Sequence, residues 1–427
     1  MLIARPVAEI FFPQRVALGL DARESTPGFK RQLIILGVET RSFDRAAKVC
    51  EGVLGFKVDD NTIGRLCHEA GEDLSAAKHT DWKAVLPGEV PVPEVAIVES
   101  DGGRVRTRKT DCGPGVHLDG NGWNESKNAI MVSATSTVSE VDPQPQPPEC
   151  FLDCEHVAKL AEMGKVSERA EKQADSASDE PDAQEPQPEP TAKPKQPSHK
   201  PKRILRSVVS SMKSSKQFGK QMVREAKRRK FFESSRKAFV GDGLACNWKI
   251  HATHFGDFTP ILDFTHAVTY LFEASVICYG KSEEAWSTYT RWMTATWQGR
   301  VREVIDELQE QQQRIGLPPE KVSADDPRER MRCVIQYLEN NASRMRYDKY
   351  RCQGLPTTSA WMESTVKEMN YRVKGTEMFW NNPEGAESIL QLRAAALCDD
   401  DRLARFLTYR PGSPYVRRVS TTPVLAV

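Results

Sequence analysis

The spacing of apolar residues predicts a helical region near the start of the chain. From 27 to about 74, apolar positions recur at helical spacing, and Gly55 interrupts the pattern. A second helix is predicted to start at Asp59 or Asp60 and to extend to Ala70. Two helices separated by only a few residues indicate a helix-turn-helix unit that binds DNA or, alternatively, an ordinary helical hairpin.

The apolar pattern then shortens to the period of β-strands. Val95 to Val98 predicts a buried strand that ends at Asp101, and Gly102-Gly103 predicts a hairpin turn into a second strand at 105–107. A third strand is predicted at 129–134. This region therefore reads as the first part of a sheet.

The second half of the chain combines two short strands with many helices. Strands are predicted at 238–240 and 260–262, an almost entirely helical stretch from Ala267 to Asn340, and a last helix beginning near Ser359. The order of elements is that of an α/β fold: an RNase H-like catalytic core with an all-helical insertion, preceded by a small helical, helix-turn-helix-like domain.

Charge is distributed unevenly along the chain, although the net charge is only +1. Lys202 to Lys237 carries 13 Lys or Arg residues against two glutamates, which predicts a packed helix whose basic outer face contacts DNA or is simply solvated. Before it, Glu171 to Pro201 contains seven prolines and almost no large apolar residues, so it is predicted to be a disordered linker.

These patterns divide the chain into seven stretches. They are an N-terminal tail (1–24), a helical, candidate helix-turn-helix domain (25–88), the first part of the core (89–164), the proline-rich charged linker (165–203), the basic helix with the second part of the core (204–266), the helical insertion (267–356), and the C-terminal catalytic helix with a tail (357–427).

Composition and cysteine usage predict a cytoplasmic protein. The longest apolar stretch, 267–279, is interrupted by Glu273 and is too short to span a bilayer, and the N-terminus lacks a secretory pattern. The 10 cysteines include no Cys-x-x-Cys, so reduced thiols are expected. Cys150, Cys154 and His156 are close in sequence, but their spacing favours ordinary thiols over a zinc site.

Three acids lie at the predicted ends of strands or at the start of a helix, where their carboxylates could hold the cations that phosphodiester cleavage requires. Asp101 and Asp242 each end a predicted strand before a glycine, and Glu363 lies in the first turns of the last helix, so all three can project toward one edge of the sheet. Two divalent cations held by carboxylates can activate a nucleophilic oxygen and stabilise a leaving 3′ oxygen. Glu368 and Glu377 are competing acids on the last helix.

Several strings carry a resemblance to a known family. They are Val98-Glu-Ser-Asp-Gly-Gly-Arg104, Phe239-Val-Gly-Asp-Gly-Leu-Ala245, Pro260-Ile-Leu-Asp-Phe-Thr-His266, Trp361-Met-Glu-Ser-Thr-Val-Lys367 and Arg372-Val-Lys-Gly-Thr-Glu377. From about 16 to 414 the chain resembles insertion-sequence DDE transposases of the ISKra type, which are relatives of the Mutator-like enzymes. In its second half, Asp263-x-x-His266 resembles the family's motif after the second catalytic aspartate.

The resemblance implies an activity, a cofactor and partners. Asp101, Asp242 and Glu363 would be the catalytic, metal-binding acids, with two Mg²⁺ (or Mn²⁺) ions. The protein would hydrolyse phosphodiesters at the ends of a mobile element and transfer the strands into target DNA. Its partners would be double-stranded DNA, as terminal repeats and as target, and further copies of itself in a homo-oligomer on DNA. It would be a bacterial, nucleoid-associated cytoplasmic protein that contacts no membrane.

Further side chains receive roles around these acids. His266 would orient a phosphate or assist proton movement, or be a satisfied histidine at a strand-helix junction. Lys367 could contact DNA or pair with Glu363, and Asp263 is a further candidate for the site. The DNA-binding candidates are Arg104, Lys367, Arg372 and Lys374.

Two alternative functions share these features. A nuclease of the same fold without strand transfer would need identical metal chemistry. A non-catalytic DNA-binding regulator or an inactive transposase remnant is suggested by the N-terminus, because family members commonly carry a cysteine-rich segment before the region that resembles 10–20 of this chain.

Overall fold

A computed structural model describes residues 25–80, 90–109, 117–118, 122–162, 199–374 and 379–410. Within these ranges the chain is an α/β protein with one five-stranded mixed sheet and several α-helices, 13 of which are given below with their bounds. Most of the predicted linker lies outside the described residues, and so does Glu377, the competing acid near the last helix. None of the helices in the described ranges is long and apolar enough to cross a membrane.

The strands form a single sheet in the order β3-β2-β1-β4-β5. Strand β2 is antiparallel to both β1 and β3, whereas β4 is parallel to both β1 and β5. The strands are β1 (Val95–Arg106), β2 (Trp123–Thr135), β3 (Lys202–Ser211), β4 (Arg236–Gly241) and β5 (Thr259–Leu262).

The helices account for most of the remaining described residues. In chain order they are α1 (Pro27–Glu39), α2 (Phe43–Leu54), α3 (Asp60–Thr80), α4 (Ser215–Arg228), α5 (Ala245–His254), α6 (Phe264–Tyr279), α7 (Glu283–Trp297), α8 (Val301–Ile315), α9 (Pro327–Asn341), α10 (Tyr347–Cys352), α11 (Ala360–Val373), α12 (Pro383–Ala396) and α13 (Arg402–Tyr409). Several begin at side-chain caps, such as Asp326, which accepts the N–H of Arg328 before Pro327 opens α9.

The chain forms two compact units, and each is discontinuous in sequence. One contains residues 1–89, 369–373 and 384–427, and the other contains 90–368 and 374–383. The first, here called the helical unit, has α1–α3, the last turn of α11, nearly all of α12, and α13. The second, the sheet unit, contains the sheet and the other helices. The sequence analysis treated 25–88 and 357–427 as separate stretches, whereas the helical unit combines segments from both.

Close approach between helices defines the interior of the helical unit. At Gly37 of α1, an added Cβ would meet the Sγ of Cys67 at 2.6 Å, and at Gly71 of α3 it would meet the carbonyl of Ser388 at 2.5 Å. Glycine is therefore needed where these helices touch. Gly55 ends α2 with a φ of 72°, and α3 begins at Asp60, as predicted.

Two helix predictions in this region need correction. The pattern assigned to one continuous helical run is broken before Phe43, because Ser42 caps a separate helix through the N–H of Arg45. Helix α3 continues to Thr80, beyond the predicted end at Ala70, and Leu74 extends its buried face.

The predicted hairpin turn at Gly102-Gly103 is wrong. Both glycines lie inside β1, in register with Lys127 and Ser126 of β2, so β1 is one strand of 12 residues. Gly103 serves close packing, because a Cβ there would lie 2.7 Å from the Nδ2 of Asn128. Two adjacent glycines permit a turn, but pairing along the whole of β2 keeps this segment extended.

The prediction that the basic stretch is a helix is wrong for its first part. Lys202–Ser211 is strand β3, which also begins inside the stretch assigned to the linker. Its buried residues Ser207 to Ser211 pair with β2, and the α-helix of this stretch is confined to Ser215–Arg228. The prediction followed the spacing of the lysines and arginines and gave too little weight to Val208 and Val209, which are β-branched and favour a strand.

Candidate active site: acids at the end of the parallel strands

The pairing of β1 with β4 brings two predicted acids together. The parallel register ends at Ser100 opposite Gly241, so Asp101 and Asp242 are the next residues of neighbouring strands. Strand β5 continues the arrangement, because the N–H of Asp263 donates to the carbonyl of Gly241 at 2.9 Å. Three aspartates therefore lie at one edge of the sheet.

Asp101 is half-buried and lies in the field of another acid. Its Oδ1 accepts the N–H of Gly102 at 2.7 Å. Burial, followed by the negative charge of Asp242, raises the pKa of Asp101 to about 7, although the charge of His266 acts against this. The carboxyl is therefore in an environment that favours a proton or a cation.

Asp242 is oriented by groups that the sequence did not single out. Its Oδ1 accepts the N–H of Leu244 at 3.0 Å and the Nδ2 of Asn247 at 2.9 Å. Asn247 is buried, and its Oδ1 accepts the hydroxyl of Ser100 at 3.0 Å. The amide of Asn247 thus connects the two strands directly behind the two aspartates.

The helical insertion reaches the same loop through a tyrosine. The hydroxyl of Tyr337 in α9 donates to the backbone carbonyl of Asp242 at 2.8 Å, and its ring stacks on Tyr270 of α6 with centroids 3.8 Å apart. Gly243 has a φ of 100°, and a Cβ there would lie 2.6 Å from the ring of Tyr337. Glycine after Asp242 therefore permits both the backbone conformation and the close contact with the insertion.

Glu363 lies in the first turn of α11, and two other acids fix that turn. The N–H of Met362 donates to Oε2 of Glu99 at 3.0 Å. The N–H and hydroxyl of Ser359 donate to Asp263 at 3.2 and 3.0 Å. Partial burial and the charge of Asp263 raise the pKa of Glu363, whereas His266 and Lys367 oppose that rise.

Asp263 is fully buried, and its oxygens are already engaged in the protein. Besides Ser359, it accepts the N–H of Thr265 at 3.2 Å and the Nδ1 of His266 at 2.7 Å. Burial acts against ionisation, but the hydrogen bond and charge of His266 hold the pKa of Asp263 below its usual value. Asp263 is therefore a carboxylate that connects α6 to the start of α11 rather than an open ligand.

His266 carries a positive charge beside the acids. Its burial would lower the pKa, but the hydrogen bond to Asp263 and the charges of Asp263, Asp242 and Asp101 raise it to about 10. About 42% of the side chain is accessible. The hydrogen bond to Asp263 at the start of α6 is what the satisfied-histidine alternative expects, and the raised pKa favours an imidazolium at neutral pH.

Glu99 is a buried acid that the sequence analysis missed. It lies two residues before Asp101 and shares its face of β1, which is a signal that the strand period contains. Burial raises the pKa of Glu99 well above its usual value, and its Oε1 has no hydrogen-bond partner among the described residues. Its visible role is to accept the N–H of Met362.

Four other residues that the sequence analysis named lie in the sheet unit. Glu368, a competing acid, pairs with Arg206 of β3 at 3.3 Å. Lys367 is exposed, and its charge acts on the pKa of Glu363 without a close ion pair in the described chain. Arg104 and Lys374 lie in the sheet unit, where the Nζ of Lys374 is 5.9 Å from the ring centroid of Trp123.

Arg372 lies in the interior of the helical unit, which contradicts its assignment as a DNA clamp. It is fully buried; its Nε donates to the carbonyl of Gly37 at 2.7 Å, and its guanidinium lies 4.5 Å from the ring centroid of Phe43. Burial lowers the pKa of Arg372 to about 10. The guanidinium is used to join α1 and α11.

The three acids have the chemistry of a site for hard cations. All supply carboxylate oxygen, and within the described residues no hydrogen bond involves Oδ2 of Asp101 or Oδ2 of Asp242. As the side chains stand, however, no three His, Cys, Asp or Glu residues in the described ranges form a group that could hold a metal ion. The described cysteines, including Cys150 and Cys154, are all free thiols.

Comparison with known proteins adds nothing to this geometry. The chain matches no family model and no curated protein sequence. The resemblance to transposases therefore rests on the quoted strings.

Proposed function

We propose that this chain is a DDE-type DNA transposase in which Asp101, Asp242 and Glu363 bind two Mg²⁺ or Mn²⁺ ions. One observation carries the proposal. The register of β1 and β4 makes Asp101 and Asp242 neighbours, and the hydrogen bonds that Met362 and Ser359 donate to Glu99 and Asp263 hold the helix turn that bears Glu363. The resemblance of the sequence strings assigns these three acids to the site.

The topology supports an RNase H-like core for this site. Such a core needs an antiparallel three-stranded part followed by parallel strands, and the order β3-β2-β1-β4-β5 with β4 parallel to β1 and β5 meets this need. The four helices α6 to α9 follow β5, where the proposed insertion lies between Asp242 and Glu363.

The donor set fits divalent cations. Asp101 and Asp242 each retain a carboxylate oxygen, and burial and the charge of Asp242, which raise the pKa of Asp101, would both be offset by a cation between the two acids. When bound, the ions would supply activation of a nucleophilic oxygen and stabilisation of the leaving 3′ oxygen. Asn247 orients Asp242, and the imidazolium of His266 would attract a phosphate of the DNA strand.

A basic helix face supports DNA as the substrate. The exposed positions of α4 include Lys216, Lys220, Arg224 and Lys227. The one acid in α4, Glu225, is buried and paired with Arg228 at 2.6 Å. The outer face of α4 therefore presents a single sign of charge, which suits a phosphate backbone.

The test is cleavage of labelled duplex DNA that bears the element's own terminal repeats, with Mg²⁺ or Mn²⁺. The unaltered chain should nick at the repeat boundary and join the exposed 3′ ends to target DNA. Asp101→Asn, Asp242→Asn and Glu363→Gln should each abolish cleavage, whereas Asp306→Asn, at an exposed acid of α8, should cleave normally. Cleavage without joined products would indicate a nuclease. Binding of the repeats without any cleavage would indicate a regulator or an inactive remnant.

A further inference from the structure

Strands β1 and β2 continue past the acids as a two-stranded ribbon. Beyond the last residue of β4, they stay paired from Gly102 opposite Lys127 to Arg106 opposite Trp123. The pairing extends further, because the N–H of Lys109 donates to the carbonyl of His117 at 2.8 Å. The ribbon thus begins immediately beside Asp101.

A second segment of the sheet unit supports the end of this ribbon. The N–H of Trp380 donates to the carbonyl of Arg106 at 2.9 Å, and the N–H of Arg108 donates to the carbonyl of Trp380 at 2.8 Å. Trp380 is buried, and Phe379 before it is half-buried. The ribbon is therefore held in place by backbone pairing on both sides of β1.

Three arginines alternate along one face of the ribbon. Arg104, Arg106 and Arg108 are half-buried, whereas Val105 and Thr107 between them are buried on the opposite face. The alternation follows from the strand period. The side chains of the three arginines consequently lie on the same face of the ribbon.

Aromatic rings orient these cations. The guanidinium of Arg106 lies 4.1 Å from the ring centroid of Phe379 and 5.8 Å from that of Trp123, and the guanidinium of Arg108 lies 5.9 Å from that of Phe379. A guanidinium stacked on a ring still presents N–H donors at its edge. The Nε of Arg108 is shielded from solvent and has no acceptor in the described part of the chain.

Charge on the ribbon is strongly one-sided. Its described residues, 102–109 and 122–127, contain five cations and one acid, Glu125, which pairs with Lys127 at 2.8 Å. Lys374, beside Trp123, adds a sixth cation. Fixed cations next to a cluster of acids suit a polyanion whose scissile bond lies at the acids.

We propose that the arginine face of this ribbon binds the phosphate backbone of the DNA duplex on one side of the cleaved bond. The inference rests on the proposed function and adds a location. At about 3.4 Å per strand residue, Arg104 to Arg106 lie roughly 10–17 Å along β1 from Asp101. At roughly 3.4 Å per base pair, this corresponds to phosphates about three to five base pairs from the cleavage point.

The experiment measures DNA binding and not turnover. The full-length Asp242→Asn protein in EDTA is titrated with a fluorescent duplex of about 30 base pairs between about 50 and 200 mM KCl. Adding Arg104→Gln, Arg106→Gln and Arg108→Gln should reduce the slope of log K against log salt by about 2–3 and weaken binding roughly tenfold or more. An Arg→Lys triple variant should retain most of the slope but bind more weakly, because it loses the stacked guanidinium groups.

A matched control removes the same number of charges elsewhere. Arg302→Gln, Arg314→Gln and Lys321→Gln change exposed cations on and after α8, and should leave the slope unchanged. Thermal melting checks that each variant is folded, and Arg104→Gln alone, with an expected slope change of about 0.9, replaces the triple variant if that does not fold. A folded ribbon variant with an unchanged slope, or a control that loses as much slope, overturns the inference.

The outcomes separate this inference from the proposed activity. A chain that never cleaves DNA with Mg²⁺ or Mn²⁺, but whose salt slope depends on the ribbon arginines, supports the ribbon and contradicts the transposase activity. A chain that cleaves at the repeats while the ribbon variant binds as tightly as Asp242→Asn supports the activity and contradicts the ribbon.

Discussion

The two ends of helix α11 use charge in opposite ways. Near its start, Glu363 is exposed in the sheet unit, where desolvation and the charge of Asp263 raise its pKa and the charges of His266 and Lys367 lower it. Near its end, Arg372 is fully buried in the helical unit and donates to the carbonyl of Gly37. The same helix thus carries one exposed acid and one buried arginine that is hydrogen-bonded inside the protein. A charged residue in a sequence does not by itself indicate whether its side chain is exposed at a site or buried in the interior.

The largest expected effect tests whether the acids act as one unit. Asp242→Asn and Glu363→Gln should each lower the rate of DNA cleavage about 10³-fold or more, equivalent to about 4 kcal/mol of transition-state stabilisation. The double variant should be no slower than the worse single variant, because removing one metal ligand already disables the site. Single-turnover rates on the repeat duplex give the comparison, and multiplicative losses would contradict a shared centre.

The next effect concerns the buried end of α11. Arg372→Ala should lower the free energy of unfolding by about 3–4 kcal/mol, because it leaves a cavity and an unsatisfied carbonyl at Gly37. Arg104→Ala, at a half-buried arginine of the sheet unit, should cost about 1 kcal/mol or less. Urea titrations measure both. Similar costs for the two variants would show that Arg372 is not a structural residue.

A smaller effect is expected from the buried carboxylate that orders the site. Asp263→Ala should slow cleavage about 10–100-fold, because Ser359 and His266 lose their common acceptor. Asp263→Asn should be milder, since its amide oxygen still accepts one hydrogen bond. The KM for DNA should rise as well, because a neutral His266 attracts phosphate less. A loss in Asp263→Ala explained entirely by a lower folded fraction would contradict this positioning role.

The smallest effect is a dependence of stability on pH. Since the folded pKa of Asp101 is raised to about 7, ionising it costs stability as pH rises from its unfolded pKa of about 4 to 7. Asp101→Asn avoids that cost, so in EDTA its Tm should exceed that of the unaltered chain above about pH 7, by about 1–2 °C per kcal/mol relieved, and match it near pH 4. Differential scanning at about pH 5 and 8 measures the change. An equal Tm difference at both pH values would contradict a raised pKa for Asp101 in the folded protein.

Some of the site was accessible to sequence reasoning because strand ends meet at a sheet edge. The strands ending at Asp101 and Asp242 were predicted from their apolar runs, and the resemblance selected Glu363. The structure shows β4 and a continuous β1, with the parallel pairing ending just before the two aspartates. The strand period also places Glu99 beside Asp101, although that signal was not used.

The remaining features depend on contacts between distant segments. Asn247 and Tyr337 reach Asp242 from α5 and α9, and no local pattern marks either one. The burial of Arg372 depends on how α11 turns within the helical unit, which its own helical pattern does not specify. Strand β3 was taken for a helix because pairing with β2, and not the local spacing of its basic residues, decides its structure.

The central claim is that Asp101, Asp242 and Glu363 form one cation site, and iron-directed cleavage of the protein tests it most directly. With Fe²⁺ in place of Mg²⁺, ascorbate and peroxide generate hydroxyl radicals that cut the backbone next to the bound metal. We expect cuts near all three residues, suppressed by excess Mg²⁺ and lost in Asp242→Asn, while Asp306→Asn keeps them. Cuts confined to other segments, or cuts that persist unchanged in Asp242→Asn, would contradict the claim.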